Sequence, residues 1–458
     1  MSILFSSCVT MTRDERFSDI DTHVQRGEYG AAIRLVENDE RGRLYGDRER
    51  VLYHLDRGML HHFNGDFAES TRHLTEAEHL IEDLFTRSIA DAASALLLND
   101  TMVEYSGEEY EDVYLNIFKA LNFIELGAIE PAFVEVRRAQ IKLDLLEDKY
   151  ARLARELNKS EHTRTTHQPG SVRFHNSALA RYISLLLYRN ERNWDSVRID
   201  RDAIDDAFTL QPSVYDFPRP KLDGLTEPTD KARLNVFGFA GRSPTKKADA
   251  LYIITDPDYV TIAVLREGDR GRFDFVGIDR LYFPGVAGGY RFKFELPRIA
   301  LRDSRINAIR VAANGRVVGE LEPIESLANV ARETFEVRQP IVYTRTITRT
   351  IVKGVLAAEG KRRLETAGAS AGGFGALMGI VASVATDVAV DASEKADLRI
   401  SRFFPAHAYV AEFHLEPGVY DITVEYYDTR GRVVFVDRRS GIEITAGNLN
   451  VLSSYSFE

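Results

Sequence analysis

Four stretches in the first half of the chain share one hydrophobic pattern: an amphipathic run, a short break and a second amphipathic run. The breaks lie at Gly27, Gly65, Gly127 and Asn193–Trp194. Apolar residues at three- and four-residue spacing indicate helices on both sides of each break. A single helix pair cannot bury its own apolar face, so several pairs must stack, and stacking forms a concave groove. The pattern therefore predicts a helical repeat domain over residues 12–212.

The spacing of the first two breaks is typical of tetratricopeptide (TPR) repeats, which have a period of about 34 residues. Small residues such as Ala31 and Ala203 allow close helix packing, and the later breaks are farther apart, so the repeats are irregular. The groove of such a domain binds peptides or helices more often than it forms an active site. We therefore expect the TPR-like groove to bind a protein partner.

After Pro212 the pattern changes to short runs rich in β-branched and aromatic residues, which are separated by turn residues. These runs predict an antiparallel, sandwich-like β-module. Its first part covers residues 213–323 and its second part covers residues 396–458. A helical region at 324–395 is inserted between them, so the predicted fold class is α+β with more than one domain.

The inserted region 324–395 begins with a basic stripe. Arg345, Arg349 and Lys353 follow each other at four-residue spacing, so they lie on one face of a helix. This face is either a dock for acidic groups of a partner or a lipid, or a solvated, salt-bridged surface.

Residues 366–386 carry no charge and form a run that is long enough to span a bilayer. Gly368 and Gly372, like Gly375 and Gly379, have the spacing of close helix packing. Most residues of the run are small rather than bulky and apolar, and both flanks continue into soluble-looking sequence. We therefore expect a helix buried against the β-module, with a membrane-inserted pore component as the alternative.

Residues 368–372 read Gly-Ala-Ser-Ala-Gly and match the G-x-S-x-G motif of serine hydrolases, with Ser370 as the nucleophile. That motif requires an apolar strand before the serine, whereas the preceding residues are charged and helical in pattern. We therefore expect a protein that is not an enzyme, and a serine hydrolase is the alternative. The acid and the base of that alternative would be Asp387 or Asp391 and His407 or His414.

The chain has 458 residues and a formal net charge of −11. An acidic chain argues against nucleic-acid binding, which usually requires a basic face. Cys8 is the only cysteine, which excludes an internal disulfide and a cysteine-rich metal site. We predict no cofactor, no metal and no small-molecule substrate.

Cys8 lies within a predicted residual signal and lipid-attachment segment at 1–11. Phe5-Ser6-Ser7-Cys8 approximates the end of a bacterial lipoprotein signal, in which the cysteine receives the lipid. The charged start and most of the apolar core of such a signal are missing. Either Met1 is not the true start and Cys8 is the lipid-attachment residue, or Cys8 is an ordinary thiol. The rest of the chain favours the lipid anchor.

Taken together, these segments resemble a family of poorly characterised bacterial TPR lipoproteins, which are often encoded near lipoproteins similar to the curli-type secretion pore and to penicillin-binding-protein activators. The individual motifs are degenerate, but their order is distinctive. The resemblance implies a lipid-anchored protein of the cell envelope, on the periplasmic face of the outer membrane, that supports envelope assembly or secretion. The matching segments are 108–139, 177–208, 344–353, the Gly/Ala-rich run and 395–426.

The same resemblance marks candidate functional residues. Asp397 and Arg399 are inter-domain candidates from a family feature Asp-x-Arg-x-Trp, which reads Asp-Leu-Arg-Ile-Ser here and lacks the tryptophan. The alternative role for every candidate is helix packing, capping or hydrogen bonding between domains. The partner-binding candidates are Tyr110, Glu111, Asn116, Asn122, Arg137, Arg345, Arg349 and Lys353.

Overall fold

A computed structural model describes residues 13–39, 42–91, 98–159, 166–227, 229–267, 273–283, 286, 288–289, 291–366 and 395–458. Within these ranges the chain is a mixed α+β protein, with helices first and then strands in three sheets. Cys8, Ser370 and nearly all of the uncharged run lie outside the described residues, so the predictions made for them remain predictions. None of the helices in the described part is long and apolar enough to cross a membrane.

The described residues before the first strand form nine α-helices. They are α1 (Arg13–Gln25), α2 (Tyr29–Glu37), α3 (Arg50–Asn64), α4 (Phe67–Ala90), α5 (Glu109–Glu125), α6 (Ile129–Asp144), α7 (Leu146–Leu157), α8 (Ala178–Asn190) and α9 (Trp194–Leu210). Four antiparallel hairpins, α1–α2, α3–α4, α5–α6 and α8–α9, pack side by side, and α7 lies outside this pattern.

The turns of the four hairpins coincide with the breaks in the sequence pattern. Gly27, Gly65 and Gly127 adopt φ values of 73°, 82° and 72°, a left-handed conformation that glycine adopts without strain. At the fourth turn Arg192 takes this conformation, with φ at 61°. The same backbone reversal therefore folds the second helix of each hairpin back onto the first.

Twelve strands in the described part form three four-stranded sheets. They are β1 (Ala232–Arg242), β2 (Thr245–Asp256), β3 (Tyr259–Glu267), β4 (Phe273–Tyr282), β5 (Arg291–Ala300), β6 (Ile306–Ala313), β7 (Arg316–Glu320), β8 (Glu322–Ser326), β9 (Pro405–Leu415), β10 (Gly418–Asp428), β11 (Val433–Ile444) and β12 (Asn450–Ser456). Sheet I has the order β12-β1-β9-β8, sheet II β11-β10-β6-β7 and sheet III β4-β3-β2-β5. Strands β1 and β12 pair in parallel, and the other pairs are antiparallel.

Strand β1 is buried along almost its entire length. Phe237 and Phe239 belong to one apolar core with the helices, whereas Leu234 and Val236 belong to the core between sheets I and II. Successive side chains of a strand point to opposite faces. Sheet I is therefore the middle layer between the helical hairpins and sheet II.

The helix α10 (Leu327–Thr366) follows β8 and connects the helical half to sheet III. Val337 and Ile341 pack with α7, while Ile347 and Ile351 pack on sheet III. The helix therefore completes two separate cores along its length.

The inner face of the helical hairpins, formed by the sides of α3, α5 and α8 that contact sheet I, is covered by the chain itself. The ring centroids of Phe118 and Phe239 lie 5.3 Å apart, and those of Tyr182 and Phe237 lie 5.6 Å apart. The sequence predicts an open groove for a partner at this face. Sheet I occupies it instead, because both surfaces are apolar and exclude water when they pack together.

Candidate functional site

Tyr110 and Glu111 lie in the first turn of α5 and are buried. Glu111 accepts hydrogen bonds from the Tyr105 hydroxyl at 2.8 Å and from the backbone N–H groups of Ser401 and Glu108 at 2.6 and 2.8 Å. Burial, together with the neighbouring Glu108 carboxylate, raises the pKa of Glu111 to about 7. Glu111 therefore joins α5 to the segment before β9.

Asn116 and Asn122, farther along α5, are also buried. The Asn116 amide donates to the Glu78 and Glu135 carboxylates at 2.8 and 2.6 Å. The Asn122 amide donates to the Ser70 hydroxyl at 2.8 Å. These bonds connect α5 to α4 and α6.

Direct contact with a partner, as predicted for four residues of α5, conflicts with their burial. Their side chains pack and hydrogen-bond inside the chain, which is the alternative role considered for them. Arg137 differs, because it is exposed on α6 with its guanidinium carbon 6.0 Å from the centroid of the Phe133 ring. The four buried residues of α5 are Tyr110, Glu111, Asn116 and Asn122, and the predicted partner-binding residue Arg349 of α10 is buried as well.

A cleft of about 390 Å³, which we call the Asp100 cleft, lies between the end of α4, α7 and the first half of α10. The chain segments around Asp100 and around 397–399 complete its walls. The cleft brings together Arg345, Asp397 and Arg399, which are far apart in the sequence. It is therefore the place where most of the accessible candidate residues converge.

Asp100 is the centre of the polar contacts in this cleft. Arg345 forms an ion pair with its carboxylate, and a guanidinium nitrogen of Arg349 lies 3.8 Å from the other carboxylate oxygen. Arg399 donates to the Asp100 carbonyl at 2.8 Å and pairs with Asp397 at 2.8 Å. Residues from α10 and from the segment before β9 thus meet at one short loop of the helical half.

Arg345 is only partly neutralised by its surroundings. Its side chain is 21% exposed, and its buried Nε atom has no hydrogen-bond acceptor in the described part of the chain. Burial, and then the charge of Arg349, lower the pKa of Arg345 to about 10, while Asp397 opposes that shift. The guanidinium stays charged at neutral pH. Since the cleft lining has five acidic and five basic side chains, a further carboxylate would be attracted by Arg345 locally and not by the cleft as a whole.

The Asp100 cleft also has apolar walls. Ile341 and Val342 of α10, Leu84 of α4 and Leu153 of α7 line it. Lys353, the last residue of the predicted basic stripe, is half-buried and is not among the lining residues. Apolar walls next to an incompletely neutralised guanidinium suit a ligand that carries both apolar and carboxylate groups.

Only some of the candidate residues of the serine-hydrolase alternative lie in the described part of the chain. His414 pairs with Glu412 at 3.0 Å, and His407 is half-buried in β9. Ser370 and both candidate aspartates lie outside the described residues. Among the described residues, no group of three or more His, Cys, Asp and Glu side chains could hold a metal ion.

Asp100 and Glu325 are the central polar residues that sequence reasoning missed. Asp100 begins a single 3₁₀ turn, which Asn99 caps by accepting from the Thr101 N–H at 3.0 Å. An Asn before such a turn is a recognisable capping signal, but it does not reveal the arginines that arrive from α10. Glu325 is the residue before the last in the short strand β8, and no local sequence pattern marks it.

Comparison with known proteins gives no match: no family model, no curated protein and no solved structure is significantly similar to this chain. The geometry of the cleft and the sequence segments described above are therefore the basis for the function proposed below.

Proposed function

We propose that the protein is a non-enzymatic, lipid-anchored protein of the bacterial cell envelope that binds a protein partner through the Asp100 cleft. The bound segment carries apolar side chains and at least one carboxylate. The partner is itself an envelope protein, and the complex supports envelope assembly or secretion. Lipid attachment at Cys8 and the position at the outer membrane rest on the sequence and its family resemblance.

The state of Arg345 is the observation that carries this proposal. Its Nε–H is a buried donor without an acceptor in the described residues, which is an unfavourable arrangement. The Arg345 side chain remains 21% exposed in the cleft, and a partner carboxylate at this exposed part would form a charge-assisted bond with the guanidinium. Apolar partner side chains against the exposed Leu98 and the half-buried Leu153, which also line the cleft, would add about 25 cal/mol for each Å² of apolar surface buried.

The proposal also covers the finer architecture. We describe the helical half as a TPR-like solenoid and sheets I and II as a sandwich-like module, and the four stacked hairpins and the apolar core between the sheets support this description. In this arrangement the inner face of the hairpins serves the chain's own β-module. The partner then binds at the cleft beside the hairpins, not in the groove that the sequence predicts.

The proposal is tested with peptides selected from a random library displayed on phage. We expect the enriched peptides to combine apolar residues with Asp or Glu. Ser88 is exposed at the rim of the cleft, so its substitution changes the local charge without breaking an ion pair. Ser88→Glu should weaken binding of the best peptide about three-fold and Ser88→Lys should strengthen it by a similar factor, which corresponds to about 0.6 kcal/mol.

Arg345→Gln removes the guanidinium itself, and we expect about a ten-fold loss of peptide affinity in fluorescence anisotropy. Arg34→Gln is the matched control, because Arg34 is exposed on α2 and does not line the cleft. Enriched peptides without carboxylates, or equal affinities of the two Ser88 variants, would contradict the proposal.

A further inference from the structure

A second pocket, which we call the Trp194 pocket, lies where the turn between α8 and α9 meets the edge of sheet I. Its volume is about 210 Å³, which is smaller than the range of roughly 300–1,000 Å³ for drug-sized ligands. Four basic side chains line it, and no Asp or Glu of the described residues does. The basic residues are Arg189, Arg192, Lys231 and Arg233.

Two of these cations are held in place by the fold. Arg189 and Arg233 each reach the Glu412 carboxylate at 2.5 Å, so two guanidinium groups share one carboxylate. Arg189 also donates to the Leu225 carbonyl at 3.2 Å. These contacts fix both guanidinium groups in one wall of the pocket. The two arginines and the one glutamate together carry a net charge of +1.

The other two cations are available to a ligand. Lys231 has Glu416 at 3.6 Å, and both side chains are more than half exposed, so this pair is weak. Arg192 is exposed, and no carboxylate of the described residues pairs with it. The end of α8 and the start of α9 both reach the pocket, so their helix dipoles oppose each other. The positive potential therefore comes from the side chains, in a chain whose net charge is −11.

The backbone at Arg192 gives an independent indication of function. Glycine occupies the left-handed position in the three other hairpin turns, at Gly27, Gly65 and Gly127, whereas Arg192 holds φ at 61°. A non-glycine residue there costs on the order of 1 kcal/mol. An arginine at this position therefore has a conformational cost that the turn itself does not require.

We infer that the Trp194 pocket binds a small sugar phosphate. Arg192 and Lys231 would hold the phosphate, because guanidinium and ammonium groups donate strong charge-assisted hydrogen bonds to its oxygens. The apolar face of the sugar ring would pack against the Trp194 indole. The amides of Asn190 and Asn448, which also line the pocket, offer donors and acceptors to the hydroxyls.

The test uses the fact that Trp194 is the only tryptophan of the chain, so tryptophan fluorescence reports on this pocket. The probes are glucose 6-phosphate, glucose and inorganic phosphate, with affinities measured by fluorescence and by isothermal titration calorimetry. We expect saturable binding of glucose 6-phosphate that is at least ten-fold tighter than binding of either other probe. The absence of saturable binding in both measurements would overturn the inference, as would equal affinity for glucose.

Arg192→Gly separates binding from folding. It removes the charge and installs the residue that the other three hairpin turns use, so the melting temperature should not fall. We expect at least a ten-fold loss of glucose 6-phosphate affinity. Arg198→Ala is the control, because Arg198 is exposed on α9 and pairs with Asp195 outside the pocket. The affinity of this variant for glucose 6-phosphate should equal that of the original chain. Unchanged affinity in Arg192→Gly would overturn the inference.

Discussion

At the scale of single residues, buried carboxylates hold the two halves of the chain together by accepting bonds from neutral groups. Glu325 at the end of β8 accepts from the hydroxyls of Ser177 and Tyr215 at 2.8 Å each. Asp56 on α3 accepts from the Ser401 hydroxyl at 2.6 Å. Burial raises the pKa of both carboxyl groups. Because no Arg or Lys forms an ion pair with either of them in the described residues, ionisation of these groups is costly.

Glu111 makes this cost measurable. Its pKa is raised from 4.5 to about 7 in the folded chain, so the folded state holds the proton more tightly than the unfolded state. The stability that this proton provides is present below pH 4.5 and is lost as the pH rises through 7. Glu111→Gln keeps the acceptor for the Ser401 N–H but cannot ionise.

We expect the free energy of unfolding of Glu111→Gln minus that of the original chain to be about 2–3 kcal/mol larger at pH 8 than at pH 5, because only the original chain loses stability as Glu111 ionises. Urea unfolding at the two pH values measures this difference. Since both chains share all other titrating groups, the comparison isolates Glu111. A difference that does not change with pH would contradict the assignment.

At the scale of elements, the buried Glu78 of α4 connects three helices. Lys119 of α5 and Lys142 of α6 each lie 2.8 Å from its carboxylate, and Asn116 donates to it. Lys119 also lies 3.0 Å from Glu135, and Lys142 lies 2.6 Å from Asp112. Without Glu78 each lysine therefore keeps one carboxylate but loses a charge-assisted hydrogen bond. The packing of α4, α5 and α6 therefore depends on this cluster as well as on apolar contacts.

Glu78→Ala should lower the free energy of unfolding by about 2–3 kcal/mol, because Lys119 and Lys142 each lose a charge-assisted hydrogen bond. Glu82→Ala, on the exposed side of the same helix, is the control and should change it by less than about 0.5 kcal/mol. Denaturant unfolding measures both. Equal effects of the two substitutions would show that the cluster does not stabilise the helices.

The sequence allows the helical hairpins to be predicted, because glycine and Asn-Trp breaks in an amphipathic pattern are local signals. Most strands are predictable for the same reason. The parallel pairing of β12 with β1 is not, since it joins residues such as Val236 and Leu452 that are far apart in the chain. The division of the strands into three sheets also depends on such distant contacts.

The candidate site is less predictable than the helices that carry it. The apolar inner side of α5, with Tyr114 and Phe118, has the same pattern whether a partner or the chain's own sheet covers it. Likewise, Arg345 reads as part of a basic stripe, and only the fold brings Asp100 beneath it. The type and spacing of residues along a helix show that one face of the helix is apolar or charged. They do not show which other element packs against that face.

At the scale of the whole molecule, the central claim is that sheet I closes the inner face of the hairpins. One apolar core runs through the helices, sheet I and the start of α10. The helical half and sheet I should therefore unfold as one cooperative unit, and partners should reach only the outer surfaces and the clefts.

Thiol labelling tests this claim most directly. Ser177 is buried at the start of α8, where its hydroxyl bonds to Glu325 of sheet I, and Ser177→Cys is nearly isosteric. Both variants are made in a Cys8→Ser background, and Ser88→Cys is the exposed control. We expect a maleimide to label the thiol of Ser177→Cys on the order of 10³-fold or more slowly than the thiol of the control, because labelling of the buried thiol requires global unfolding. Labelling at a rate close to that of the control, under conditions where the chain stays folded, would show that the inner face is open and would contradict the account.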